Sequence, residues 1–132
     1  MERKPSEIIQ DFLDLIEKSH LEYQEAKKNV DNYNDKTYNW THDLEDAPNK
    51  AERNKIATAW QHELQQRRIE KDRMNLWQKV HEMASDVQNK AYLKRLRHLL
   101  EEQKKTEEYV ATPYKQREYK RRGGSGDGNH RR

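Results

Sequence analysis

Residues 5–46 read PSEIIQDFLDLIEKSHLEYQEAKKNVDNYNDKTYNWTHDLED, and this stretch decides the predicted fold. After Pro5 it contains neither glycine nor proline, and two interleaved series of mostly apolar side chains recur along it every seven residues. The two series are Ile9, Ile16, Tyr23, Val30 and Thr37, and Phe12, Ser19, Ala26, Tyr33 and Trp40. This pattern is typical of a helix buried along one seam, so we predict a helix over residues 6–46 with Ser6 as its N-cap. Residues 33–37 are poor helix formers, and the helix can fray or kink there.

A second long helix is predicted after the turn at residues 46–50. Pro48 disfavours helix at Ala47 and suits the first turn of a new helix, which we expect to cover residues 49–87. Its apolar side chains are Ile56, Trp60, Leu64, Met74, Val80, Met83 and Val87. In two antiparallel helices joined by a short turn, residues that lie side by side have position numbers whose sum is nearly the same along the whole pair. By this rule Ile16 is expected to lie beside Val80. The predicted fold class is therefore all-α, with a long antiparallel helical hairpin that is similar to a coiled coil.

A shorter third helix is predicted over residues 89–110, after a break near residues 85–89. It carries a leucine-rich face and stops before Thr112-Pro113. The leucines are Leu93, Leu96, Leu99 and Leu100. Two arrangements stay open: the helix folds back over the hairpin, which we prefer, or it extends the second helix and leaves these leucines for a second copy of the chain. Residues 1–111 then form one helical domain, and a homodimer is not decided by the sequence.

Residues 112–132 differ in composition from the rest of the chain, and we predict a flexible basic tail there. They hold seven Lys/Arg, two Asp/Glu and all four glycines. Tyrosines lie among the cations, so the tail can combine phosphate contacts with base stacking on a nucleic acid. The candidate nucleic-acid-binding residues in this tail are Tyr114, Lys115, Arg117, Tyr119, Lys120, Arg121 and Arg122. The alternative is a tail that only keeps the chain soluble.

The two halves of the chain carry opposite charge, although the net charge of the whole chain is only +3. Residues 1–47 contain 6 Lys/Arg and 12 Asp/Glu, whereas residues 48–132 contain 21 and 12. An acidic helix paired with a basic one explains this layout without a ligand. The functional alternative is a basic surface that contacts a phosphate backbone. Its candidate residues outside the tail are Arg67, Arg68, Arg95 and Arg97.

Large aromatic side chains are numerous for so polar a chain, in which hydrophobic residues make up 31% and charged residues 39%. Most of these rings can fill the helix seam, where aliphatic side chains are scarce. Near the predicted turn, however, Tyr38, Trp40 and Trp60 could form a partly exposed anchor for a partner protein. We therefore predict a protein partner and take these three residues as its candidate patch.

Several functional classes lack their sequence signals. No apolar run approaches the ~20 residues of a membrane span, no secretory leader is apparent, and the absence of cysteine excludes thiolate chemistry. None of the six histidines forms a His-Glu-x-x-His pattern, and no serine lies in a Gly-x-Ser-x-Gly turn. We expect no enzymatic activity, no catalytic or metal-binding residue, no cofactor and no membrane partner. Convergence of His20 and His81 in the hairpin stays open.

The order of these features resembles that of small helical proteins encoded by phages and prophages of low-GC Gram-positive bacteria. The resemblance covers about residues 5–119 and rests on PSEIIQDFLDLIEKSHLEYQEA, AERNKIATAWQHELQQRRIEKDRMNLWQKV, AYLKRLRHLLEEQKKTEEYV and the closing TPYKQREY. It implies a bacterial cytoplasmic setting in a phage life cycle and no particular mechanism.

These observations together predict a non-enzymatic helical interaction protein that binds a protein partner and touches nucleic acid through its tail. The first alternative is a DNA- or RNA-binding regulatory protein. The second is an inhibitor of a host nuclease defence, similar to an anti-CRISPR protein, in which the acidic first helix imitates a phosphate backbone.

Overall fold

The computed structural model describes residues 2–117, and these residues form an all-α fold without a β-strand. Their four helices are α1 (Pro5–Asp35), α2 (Thr37–Asp46), α3 (Lys50–Ser85) and α4 (Val87–Ala111). The predicted all-α class is confirmed. In this part of the chain, no helix combines the length and the apolar composition that crossing a bilayer requires. The predicted tail residues Tyr119, Lys120, Arg121 and Arg122 lie outside the described residues.

Helix α1 begins one residue earlier than predicted, and Ser6 is not its N-cap. The carbonyl of Lys4 accepts hydrogen bonds from the backbone N–H groups of Glu7 and Ile8. The Glu7 carboxylate in turn accepts from the Lys4 N–H at 2.8 Å, which is one half of a capping box. Pro5 therefore occupies the first helical position, where its missing N–H costs nothing. The hydroxyl of Ser6 is left for a contact with α4.

The predicted helix over residues 6–46 is interrupted at Lys36, inside the stretch of poor helix formers. The Lys36 N–H donates to the Tyr33 carbonyl at 3.3 Å, a three-residue step that replaces the ordinary four-residue step. Lys36 keeps right-handed helical angles (φ −81°, ψ −11°), and the Trp40 N–H bonds its carbonyl at 3.1 Å. Helices α1 and α2 therefore form one long bent helix.

The turn between α2 and α3 lies where the Ala47-Pro48 pair predicts it. Ala47 is extended (φ −63°, ψ 129°), as expected before a proline. Asn49 is the N-cap of α3, because its side-chain oxygen accepts from the Glu52 N–H at 2.9 Å. Helix α2 packs against α3.

Asp86 separates α3 from α4. Its backbone is extended (φ −62°, ψ 137°), which ends α3 at Ser85. Its carboxylate accepts from the N–H groups of Gln88 at 3.1 Å and Asn89 at 3.3 Å, so it also caps the start of α4. The Asn89 side chain donates to the Met83 carbonyl at 2.8 Å and satisfies one of the free carbonyls at the end of α3.

The chain divides into two compact units. Unit 1 contains the residues up to Leu13 and those from Ala91 onwards, and unit 2 contains Asp14–Lys90. In unit 2, the seven-residue series predicts most of the buried face of α1, where Ile16, Ser19, Ala26 and Val30 are buried. Two members of the series are exceptions. Thr37 is exposed in α2, and in unit 1 Leu13 is buried while the neighbouring Phe12 is more exposed.

The inward face of α3 differs from the predicted apolar face. Leu64, Met83 and Val87 are exposed, although the pattern predicts them inside. Nine of the buried and half-buried positions instead follow a seven-residue repeat in alternating steps of four and three, namely Ile56, Trp60, Glu63, Arg67, Glu70, Met74, Trp77, His81 and Ala84. The predicted Val80 is also half-buried, as are Gln66, Arg73, Gln78 and Ser85. Three charged side chains occupy the middle of the repeat because each of them finds a hydrogen-bonding partner on α1 or on the Lys36 segment that follows it.

Candidate interaction surfaces

Arg73 of α3 is the centre of a polar cluster in unit 2. Its Nε donates to Glu22 at 3.1 Å, its Nη2 to Glu25 at 2.9 Å and its Nη1 to Glu70 at 3.1 Å. Asn29 donates a further hydrogen bond to the Glu70 carboxylate. The hydrogen bond from Arg73 lowers the pKa of Glu22, and the two α1 carboxylates raise the pKa of the guanidinium. Two of the acidic side chains of α1 are therefore neutralised within the fold.

Two further contacts extend this polar zone toward the α2 end of unit 2. The Arg67 Nε donates to the Asn34 side chain at 2.7 Å, and the Lys36 ammonium lies 3.5 Å from the Glu63 carboxylate. Residues later in α1 therefore bond residues earlier in α3: Asn34 bonds Arg67, whereas Glu22 bonds Arg73. Arg67, a candidate nucleic-acid contact by sequence, is half-buried and committed to this zone.

His20 and His81 converge in unit 2, the arrangement that the sequence leaves open. Their Nδ1 atoms are 2.8 Å apart, and the Tyr23 ring stacks on His81 with a centroid distance of 4.3 Å. Such a short distance requires one imidazole to donate and the other to accept. Burial and the neighbouring His20 lower the pKa of His81. Between residues 2 and 117 there is no group of three His, Asp or Glu side chains arranged to hold a metal ion.

Ser6 and Glu107 join the first turn of α1 to α4 in unit 1. The Glu107 carboxylate accepts from the Ser6 N–H at 2.9 Å, from the Ser6 hydroxyl at 2.5 Å and from Gln103 at 3.1 Å. These donors lower the pKa of Glu107, and Ser6 is buried. The same unit buries Leu93 and Leu100 of α4, so two of its four leucines are covered within the chain.

An exposed apolar surface lies on α3 in unit 2. Ile69, Leu76 and Met83 follow one another at seven-residue intervals and are 56%, 73% and 40% exposed. Residues seven apart lie on the same side of a helix, so these three form a line, here called the α3 stripe. The apolar pattern predicts Met83 inside, and Ile69 and Leu76 are not among the residues singled out from the sequence. The seven-residue spacing of these three apolar residues is a sequence signal for a second line along α3, because the buried residues of the helix follow the same period.

The predicted patch of Tyr38, Trp40 and Trp60 is only partly exposed. Tyr38 is 69% exposed, and its ring is nearly perpendicular to that of His42 at a centroid distance of 5.3 Å. Trp40 and Trp60 are half-buried. Within this predicted patch, Tyr38 therefore offers the largest exposed ring to a partner.

A basic surface lies on α4 in unit 1. Residues 87–100 contain no acidic residue, and the exposed side chains Tyr92, Lys94, Arg95, Arg97 and His98 form what we call the basic α4 face. The Arg95 guanidinium lies over the Tyr92 ring at 5.4 Å. No ion pair involves Lys94, Arg95 or Arg97 in the part of the chain that the structure describes. The predicted candidates Arg95 and Arg97 are thus available to an anion, as is the exposed Arg68 of α3.

The described start of the predicted tail has local structure. Residues 113–117 form a helical turn, in which the Gln116 N–H donates to the Pro113 carbonyl at 2.9 Å. Tyr114 and Lys115 are exposed, as a binding role requires. Arg117 is half-buried, donates to the Thr112 carbonyl at 2.8 Å and lies over the Tyr109 ring at 5.3 Å.

Unit 2 therefore exposes an apolar line on α3, and unit 1 exposes a basic surface on α4. Their chemistry does not by itself name a family. In comparisons with known proteins, no protein-family model, no curated protein and no solved structure matches this chain.

Proposed function

We propose that this chain is a non-enzymatic helical interaction protein that binds a protein partner through the α3 stripe. In this proposal α1, α2 and α3 form an antiparallel, coiled-coil-like hairpin, which presents the stripe to the partner. The setting that fits the sequence resemblance is a phage-encoded protein in the cytoplasm of a bacterial host. The observation that carries the proposal is the exposure of Ile69, Leu76 and Met83 in one line.

The size of the stripe indicates how much of an interface it can supply. Fully burying an exposed Leu, Ile or Met contributes about 1.5–3 kcal/mol, so covering these three partly exposed side chains supplies about 3–5 kcal/mol. Association costs at least about 4 kcal/mol in lost freedom of motion. The stripe is therefore the anchor of a larger contact, to which exposed neighbours on the same helix, such as Asp72 and Lys79, can add polar contacts.

The absence of catalysis in this proposal rests on how the titratable groups are used. Glu22, Arg73 and Glu107 have shifted pKa values because they bond other side chains or backbone across helix contacts. His81, whose pKa is lowered by burial and by His20, bonds the His20 ring in the same way. Each of these hydrogen bonds joins parts of the fold and is already satisfied. Such groups stabilise a structure and are not poised to transfer a proton to a substrate.

The contacts within the fold favour nucleic-acid contact through the tail over the nuclease inhibitor, the second of the alternative functions. A nuclease inhibitor that imitates a phosphate backbone would use the acidic face of α1, but Glu22 and Glu25 are bound by Arg73. Contact with nucleic acid through the tail stays part of the proposal, with Tyr114 and Lys115 as its exposed described residues.

The proposal is tested by substituting the centre of the stripe. We expect Leu76→Asp to reduce recovery of the partner at least ten-fold when the tagged chain is purified from its own host and bound proteins are quantified. The matched control is Ala57→Asp, which adds the same charge at an exposed position of α3 that lies twelve residues before Ile69 and off the line of the stripe. Recovery of the same proteins by Leu76→Asp and by the wild type would show that the stripe is not the binding surface.

A further inference from the structure

We propose that the basic α4 face binds the phosphate backbone of a single-stranded nucleic acid. This surface is separate from the α3 stripe, so it goes beyond the protein-binding function proposed above. Its cations Lys94, Arg95 and Arg97 are exposed and form no ion pair within residues 2–117. Cations held in this way on a folded surface gain affinity by releasing the counterions of a polyanion.

The spacing of the cations suits a repeating anion. Lys94 and Arg97 are three residues apart, which places them about 4.5 Å apart along the helix axis and on neighbouring positions of one face. His98 continues the same face one turn after Lys94. Because α4 carries no acidic residue from 87 to 100, nothing on this segment repels a second or third phosphate.

Tyr92 favours a nucleic acid over other polyanions. Its side chain is largely exposed, and the Arg95 guanidinium lies over its ring at 5.4 Å. An exposed ring beside an arginine can stack on an unpaired base while Arg95 holds the neighbouring phosphate, and Lys94 and Arg97 lie farther round the exposed surface of the helix. An acidic protein would use the charges but would have no base for the ring.

A membrane surface is a poorer fit for this helix. A basic amphipathic helix binds anionic lipid by inserting its apolar side chains. In α4, Leu93 and Leu100 are 7% and 5% exposed and are already packed within unit 1. Insertion would have to remove them from the fold, whereas phosphate binding needs only the side chains that are already exposed.

The test uses the full chain and a fluorescein-labelled 30-nucleotide single-stranded DNA, with fluorescence anisotropy at several salt concentrations. We expect the double variant Lys94→Gln/Arg97→Gln to bind about ten-fold more weakly at low salt. It should also reduce the slope of log K against log salt by about 1.4, since each lost contact to a single strand contributes ~0.7. Tyr92→Ala should weaken binding to single-stranded DNA more than binding to a duplex of the same length.

Two matched variants separate the face from net charge. Arg53→Gln/Lys55→Gln removes two exposed cations from α3 and should change binding less than two-fold. Lys94→Arg/Arg97→Lys keeps the charges and should retain binding, while circular dichroism checks that every variant is folded. Equal losses in the two Gln variants, no binding of DNA, or binding of phosphatidylserine vesicles without binding of DNA would overturn the proposal.

Discussion

Arg73 donates to three carboxylates, so a single substitution there removes three contacts at once. Two of the carboxylates, Glu22 and Glu25, come from α1, and the third, Glu70, comes from the preceding turn of α3. We expect Arg73→Gln to lower the free energy of unfolding by about 1–2 kcal/mol, because the three carboxylates lose their shared cation. Urea unfolding followed by circular dichroism measures this change.

The control for Arg73 is another arginine of the same helix. Arg68 is exposed and forms no ion pair in the described part of the chain, so Arg68→Gln should change the free energy of unfolding by less than about 0.5 kcal/mol. If the two variants lost equal stability, the contribution of Arg73 would come from general charge and not from its three contacts.

The pair of His20 and His81 predicts a loss of stability in mild acid. Protonating both rings would place two positive charges at Nδ1 atoms 2.8 Å apart. The pKa of His81 is lowered in the folded chain, so below an ordinary histidine pKa of about 6.5 the unfolded chain binds more protons. The stabilising contribution is therefore complete above this pH and is lost as the pH falls toward the lower folded value. Glu82, whose charge favours protonated His81, opposes the effect only in part.

Melting temperatures between pH 7.5 and pH 5.5 test this prediction. We expect the melting temperature of the wild type to fall as the pH is lowered over this range, because the unfolded chain binds the proton more readily than the folded His81 does. His81→Phe keeps a ring against Tyr23 and removes the titration, so its melting temperature should fall less. His62→Phe, at an exposed position of α3, should behave as the wild type does. If the melting temperature of His81→Phe fell with pH as steeply as that of the wild type, the pH dependence would come from other groups.

At the scale of the helix, α3 buries charged residues and exposes apolar ones. Ile16 of α1 is 2% exposed, whereas Leu76 of α3 is 73% exposed. We expect Ile16→Ala to cost about 2–4 kcal/mol, because it removes packed methyl groups and leaves a cavity. Leu76→Ala should cost less than about 0.5 kcal/mol, because its side chain is already in water. Urea unfolding of both variants gives the comparison, and a large loss for Leu76→Ala would show that the stripe is covered within the chain.

The helix ends were more predictable than the helix faces. Pro48 and the segment around Asp86 act through local backbone geometry and capping, which short stretches of sequence encode directly. The face of α3 that turns inward depends on its partner as well. Leu64 and Met83 are apolar enough to be buried, but Glu70 and Arg67 lie inward because Asn29 and Asn34 are placed to bond them.

At the scale of the whole molecule, the opposite charges of the two halves serve two purposes. In unit 2 the acids of α1 meet Arg73, as a charge-matched helix pair would require. In unit 1 the cations of α4 stay exposed. The counts of Lys, Arg, Asp and Glu are compatible with either use, since composition does not say which charges are neighbours.

The leucines of α4 show in the same way that the sequence does not fix which groups become neighbours. The sequence allows them to pack within the chain or against a second copy. Leu93 and Leu100 are buried within unit 1, where Glu107 also bonds Ser6. Leu99 is 44% exposed and Leu96 is half-buried, so two of the four leucines are not fully covered within the unit, and the homodimer stays undecided.

The amino-acid order by itself determined that residues 2–117 are mainly helical, where the turns near Pro48 and Asp86 lie, and most of the side of α1 that is buried. These properties follow from propensity, capping and a seven-residue period, all of which act over a few neighbouring residues. The tertiary structure alone decided that His20 meets His81, that Arg73 gathers three carboxylates, and that Arg95 and Arg97 have no acidic partner within residues 2–117. The physical reason is that pairing energy depends on the distance between groups far apart in the chain, and that distance is set only when the helices pack.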